Sequence, residues 1–225
     1  MHRRGGGDRR VSALFILGGQ ESMSEKSEKH FNSGHVFGKP TEMKEDTSTG
    51  GAPYLQITMD VSGGKSGRVT AYCRMWGQQR YQPLLDDFRN NPGGDYVLRG
   101  FISQYSKDEN TFNNFTVFEF ERKSSERRAV FILKGEVSHQ PSALNDGGQR
   151  FLLKVVRPGT NGQEQEETFE LWAQGEKLLE KVAKGDLVEV KGMVRQAEPD
   201  DFFGGSDGPV RAFVEKLRVV VSAAP

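Results

Sequence analysis

The order of segments along this chain repeats, and the repeat constrains the fold more than any other feature. Strand-like runs at His35–Lys44, Tyr54–Val61, Arg68–Trp76, Tyr96–Tyr105 and Phe115–Arg122 are separated by turn-rich stretches such as DTSTGGAP, SGGKSG and NNPGG. A second series follows at Ala129–Ser138, Arg150–Arg157, Thr168–Ala173, Leu187–Gln196 and Val210–Val221. Each series carries one helical segment between its third and fourth strands. In the first it is QQRYQPLLDDFRNN, where Pro83 suits a first helical turn and Leu84, Leu85 and Phe88 share a face. In the second it is GEKLLEKVAKG, with Leu178, Leu179 and Val182 on one face and Gly185 as a C-terminal stop.

The two series align piece by piece. Trp76-Gly-Gln-Gln matches Trp172-Ala-Gln-Gly, and Tyr96-Val-Leu-Arg-Gly-Phe-Ile matches Val188-Glu-Val-Lys-Gly-Met-Val. Five strands with a helix between the third and fourth is the element order of the OB-fold, a small Greek-key barrel. The expected architecture is therefore all-β: two tandem five-stranded OB-fold barrels, each with a short helix between strands three and four. The expected boundaries are 1–31 for an N-terminal tail, 32–123 for the first barrel and 128–225 for the second, joined through the charged KSSERR stretch.

Composition narrows the function classes. Lys and Arg number 31 and so do Asp and Glu. Residues 32–122 hold 10 basic and 11 acidic groups and residues 123–225 hold 15 and 16, so any anion binding must come from how charge is placed. The single cysteine, Cys73, excludes an intrachain disulfide framework and a multi-cysteine zinc site. The four histidines lack metal-ligand spacing, so no metal or cofactor is expected. Gly63-Gly-Lys-Ser-Gly lacks the spacing and following helix of a phosphate loop and reads as a hairpin turn. With no nucleophile, metal or phosphate constellation, an enzyme is not expected. The seven-residue apolar run Val11–Leu17 is too short for ~30 Å of hydrocarbon, so no membrane role and a cytoplasmic setting are expected.

Side chains alternate faces along a strand, which separates core from surface. Leu55, Ile57, Met59 and Val61, then Val69, Ala71, Cys73 and Met75, then Tyr96, Leu98, Gly100 and Ile102 form inward sets. The opposite faces carry Tyr54; Arg68, Tyr72, Arg74 and Trp76; and Arg99, Phe101 and Tyr105. Lys65, Lys107, Phe112 and Phe115 are assigned to neighbouring loops. Arginines interleaved with exposed aromatics on a β-surface are suited to single strands: bases stack on rings and guanidinium groups meet phosphates. The second barrel places Trp172 beside Glu166 and Glu170, where carboxylates repel a phosphate path, so a weaker binder or scaffold is expected there.

The segment TFELWAQGEKLLEKVAKGDLVEVKGMVRQ resembles its counterpart in bacterial single-stranded DNA-binding proteins, and AYCRMWGQQ…GDYVLRGFISQ is a looser copy. The resemblance implies base stacking by Trp76 and Trp172, and two barrels in one chain resemble the variant of that family that forms a homodimer. The family's acidic, apolar C-terminal tip is not found at the end of this sequence, VVVSAAP. Asp200-Asp201-Phe202-Phe203, on a glycine-rich stretch, is a candidate hook for replication or repair proteins in its place. The leading expectation is single-stranded DNA binding through Tyr54, Lys65, Arg68, Tyr72, Arg74, Trp76, Arg99, Phe101, Tyr105 and Trp172. The alternatives are a protein-interaction module on the same fold and an RNA-binding factor.

Overall fold

The computed structural model describes residues 30–61, 69–107, 110–123, 127–143, 148–158, 163–174, 179–196 and 210–223. The first five strands are β1 (Phe31–Thr47), β2 (Pro53–Asp60), β3 (Thr70–Trp76), β4 (Tyr96–Lys107) and β5 (Asn110–Arg122). The rest are β6 (Arg128–Val137), β7 (Ser142–Ala143), β8 (Gln149–Pro158), β9 (Glu164–Ala173), β10 (Leu187–Gln196) and β11 (Val210–Val221). Helix α1 spans Gln78–Asn90.

Hydrogen bonding closes two rings. β1 pairs with β2, β2 with β3, β3 with β5 in parallel, β5 with β4, and β4 with β1. The second ring runs β6, β8, β9, β11 and β10 and back to β6, with its parallel step at the equivalent place between β9 and β11. The chain is thus a tandem pair of five-stranded OB-fold barrels. The rings share one continuous sheet, because β1 also pairs antiparallel with β6 from Phe31↔Lys134 to Phe37↔Arg128.

The repeated glycine of the two series has a common cause. In β4 the register shifts between Arg99 and Gly100, and in β10 it shifts between Lys191 and Gly192. At both bulges the neighbouring strand's backbone comes so close that a Cβ would run into a carbonyl oxygen, that of Thr116 in one barrel and of Phe213 in the other.

The alternating pattern sorts the core as the sequence requires. Leu55, Ile57, Met59, Val69, Ala71, Cys73, Met75, Tyr96, Leu98 and Ile102 are all buried, as are Phe169 and Leu171 in the second barrel. Each fully buried Leu, Ile or Phe contributes about 1.5–3 kcal/mol of transfer free energy. Phe115 differs from its loop assignment, and Val97 is buried although alternation puts it on the outward face with Arg99 and Phe101. Phe115 is buried because β5 begins at Asn110 and carries it into the barrel opposite Cys73 and Ile102. Val97 is buried because Phe37 and Glu121 flank it across the sheet on the same face.

The helical segments also differ from expectation. Helix α1 starts at Gln78, with Gly77 as N-cap at φ 86°, so Pro83 lies inside the helix rather than in its first turn. Tyr81, Leu84 and Leu85 are its buried residues; it packs on β2 and β3, and the Tyr81 hydroxyl donates to Glu45. In the second barrel, Leu179–Gly185 form turns, with Leu179 and Val182 still buried; residues 175–178 lie outside the described residues. The buried Asp186 holds these turns. Its carboxylate accepts from the amide of Ala183 at 2.8 Å and from that of Ala223 at 2.7 Å. No helix among the described residues is long and apolar enough to cross a membrane.

Candidate nucleic-acid interface

The outward face of the first barrel can be laid out from its register. Gln56, Arg74, Thr116 and Phe101 form one cross-strand row, and Thr58, Tyr72, Asn114 and Ser103 form the next. Tyr54 lies opposite Trp76 at one end, and Tyr105 lies opposite Phe112 at the other. Tyr72, Tyr105, Phe112 and Phe118 are 48%, 47%, 39% and 48% exposed, far beyond the few percent of the core rings. Together they form an aromatic trail along one sheet face, a feature isolated surface apolars do not produce.

Phe118 continues the outward alternation of Phe112, Asn114 and Thr116. Gly100 pairs with Val117 and Arg99 with Glu119, so Phe118 is the extra residue of the β4–β5 bulge, after which the parity of β5 switches and Phe120 turns toward the core. Tyr105 and Phe112 are stacked, with centroids 5.2 Å apart and ring planes at 17°.

Tyr54 and Trp76 support one another. Their centroids are 4.9 Å apart, and the Arg74 guanidinium lies 5.6 Å from the Tyr54 ring centre. The Tyr54 hydroxyl donates to Asp46 at 2.9 Å. The Thr47 amide and then this hydroxyl hold the Asp46 carboxyl below its usual range, and the same hydroxyl bond holds the Tyr54 phenol above its own. Arg74 is exposed and makes no ion pair among the described residues, so its charge is open to a phosphate. Arg99 is different: it pairs with Glu121 at 2.6 Å, which pulls that carboxyl below its usual range.

Phe101 is half-buried, with the Arg157 guanidinium of the second barrel 4.4 Å from its ring centre. That contact is between barrels, and Arg157 also lies 3.5 Å from Glu167. Lys65 and Arg68, and the segment Asp200, Asp201, Phe202 and Phe203, lie outside the described residues, as does the Lys107 side chain.

The equivalent face of the second barrel is internally neutralised. Cross-strand pairs join Lys154 to Glu166 at 2.9 Å and Arg150 to Glu170 at 3.7 Å. Trp172 is half-buried, with the Arg211 guanidinium 3.7 Å from its ring centre, and Arg195 stands at the same distance over Phe213. Arg211 lies on β11, paired in parallel with β9, a neighbour that reading each strand separately does not reveal. A cavity of ≈ 630 Å³ opens on this barrel beside the Lys154–Glu166 pair, lined also by His30, Lys134, Glu136 and Val221 among others. Its lining mixes paired charges of both signs with exposed valines, which defines no single ligand.

Burial pushes the Cys73 thiol up, so this fully buried side chain is no nucleophile. Among the described residues no group of three or more His, Cys, Asp or Glu side chains is arranged to hold a metal ion.

Comparison with known proteins bears on the architecture. No protein-family model matches the sequence, and no curated protein matches it. Among solved structures, the wild-type single-stranded DNA-binding protein from Thermus aquaticus superposes with a TM-score of 0.56 at 16% identity, covering 88% of this chain and 96% of that one. A deletion mutant of the same Thermus aquaticus protein gives 0.58 at 16% identity over 88% and 98%. This chain has their fold. At such identity the likeness establishes the two-barrel architecture, and the chemistry has to be argued from this chain's own residues.

Proposed function

We propose that the protein binds single-stranded DNA with little sequence preference, stacking bases on the outward face of the first barrel. The observation that carries this reading is one surface: exposed Tyr72, Phe118 and the stacked Tyr105–Phe112 pair, on the same sheet face as Trp76 and an exposed Arg74 that makes no ion pair among the described residues. Every base has a π-face, so a row of rings holds a strand without reading it, and a guanidinium beside the row meets the phosphates between bases. The solved structures that share the fold are described as single-stranded DNA-binding, which agrees with the chemistry of this face.

In this reading the protein coats or presents a strand during replication, recombination or repair in the cytoplasm, and it performs no covalent step. Lys65 and Arg68, which precede β3 in the sequence, are assigned to phosphate contacts in this reading. The half-buried Trp172, with its ring face taken by Arg211, contributes less. The joined sheet carries Phe37, Val130, Ile132 and Met193 on its outward side, and two chains associate there as a homodimer.

The test is tryptophan emission during titration with poly(dT). Trp76 and Trp172 are the only tryptophans, so stacking at the first barrel quenches a large share of the signal. No change in emission and no binding by any second method would transfer the assignment to a protein-interaction module.

A further inference from the structure

The β4–β5 hairpin has two working faces. One bears Tyr105 and Phe112; the other bears Gln104 and Asn113, which pair across the same strands. Asn113 is one of two polar residues that are buried among the described residues, and both side chains reach the second barrel.

Their targets are an opening in that barrel. Among the described residues β9 pairs with β11 only at Phe213↔Trp172 and Val214↔Ala173, so at Glu170 the edge of β9 has no strand partner among them on that side. An exposed edge leaves backbone groups that must find partners. At Glu170 they find the Gln104 carboxamide: its Oε1 accepts from the Glu170 amide at 2.6 Å, and its Nε2 donates to the Glu170 carbonyl at 3.0 Å. This side chain takes the place of one rung of a strand. Nε2 also donates to Asn113 Oδ1 at 2.8 Å, and Asn113 Nδ2 donates to the Val210 carbonyl at the start of β11, at 3.3 Å. The Gln104 backbone amide donates to Glu167 Oε1 at 2.9 Å. Glu167 is substantially buried, and burial raises its carboxyl, so it is a costly group to place there without partners.

We propose that Gln104 is a positioning residue for strand binding: its carboxamide seats the β4–β5 hairpin on the open edge of β9 and so holds the stacked Tyr105–Phe112 pair at the junction of the two barrels. The strand crosses from the first barrel toward the second over that pair. This rests on the strand-binding reading, because a fixed aromatic pair matters only if bases use it. Holding both rings before a strand arrives removes the ordering cost of binding.

The experiment uses the full chain labelled with 3-fluorotyrosine, which gives five resonances, with Tyr105 assigned through Tyr105→Phe. Gln104→Leu is expected to move or broaden the Tyr105 signal while leaving those of Tyr54 and Tyr81 in place. The same variant is expected to weaken dT-oligomer binding by about 5-fold or more, the lower end of what one stacked base is worth. In a Phe112→Ala background, Gln104→Leu should cost little further, because it acts through the pair. If Gln104→Leu fails to fold, Gln104→Asn, too short to reach both Glu170 groups, carries the same measurements. An unmoved Tyr105 signal, unchanged affinity, or full additivity with Phe112→Ala overturns the proposal. If the parent protein itself does not bind dT, the strand-binding reading falls and takes this inference with it; binding by the parent with equal binding by the variant removes this inference alone.

Discussion

At the scale of single residues, the first barrel separates rings that are occupied from rings that are open. Tyr54 is occupied: its hydroxyl is bonded to Asp46 and its ring is in contact range of both Trp76 and Arg74. Tyr54→Phe should therefore act first on the carboxylate. Its Asp46 titrates at higher pH by NMR, part of the way to its ordinary value, because the Thr47 amide bond remains. The sign follows from linkage: a carboxyl whose folded pKa is depressed adds stability above its unfolded value and loses it as pH falls through the folded one. An unmoved Asp46 titration would mean the Tyr54 hydroxyl bond does not persist in solution. Tyr72 and Phe118 are open, so Tyr72→Ala and Phe118→Ala should leave the melting temperature nearly unchanged and weaken poly(dT) binding, each within the ~5–150-fold range of a stacked base. Unchanged affinity in both would place the strand elsewhere.

At the scale of elements, the two bulges make the repeat testable. Gly100→Ala and Gly192→Ala each force a methyl into a facing carbonyl, and both should destabilise by roughly 1–3 kcal/mol in denaturant unfolding, as overpacking does. Gly50→Ala, at an exposed turn where an added Cβ meets only the far end of Ser48, should change little. Loss of stability in only one barrel variant would break the equivalence of the two units. The glycine shared by the two series was readable from the sequence because it recurs inside a matching apolar frame. Gly38 and Gly135, which make the same kind of close approach to Asp60 and Lys154, escaped notice because KP and EV follow them and no motif marks the pair. The core was readable because alternation has a fixed period of two. Helix α1 was readable in its apolar face but not in its start, since Gly77 and not Pro83 sets the cap. The turns at Leu179–Gly185 bury the same apolar residues a helix would, so the pattern could not tell them apart. The candidate site was readable where residues share a strand, as Tyr72, Arg74 and Trp76 do. It was not readable where partners lie 66 or 97 positions apart, as in the Gln104–Glu170 and Asn113–Val210 bonds, because no local period encodes a contact between barrels.

At the scale of the whole molecule, acidic and basic groups are equal in number, and the second barrel pairs Arg150 and Lys154 with its own carboxylates, which leaves fewer charges for phosphates. Stacking must then carry much of the affinity. A plot of log K against log[salt] should be shallow, with roughly 3–5 phosphate contacts at ~0.7 each for single strands, and a slope steeper than about −7 would assign the binding to charge instead. The central claim, that one barrel face does most of the binding, is tested most directly by titrating poly(dT) into Trp76→Ala and Trp172→Ala at one salt concentration, with circular dichroism to confirm that both stay folded. Both rings are half-buried, but Trp76 packs on Tyr54 beside the exposed trail, whereas Trp172 lies beneath Arg211 among paired charges. The account predicts a clearly larger loss for Trp76→Ala, within the ~5–150-fold range of a stacked base. Equal losses, or a larger loss for Trp172→Ala, would contradict it.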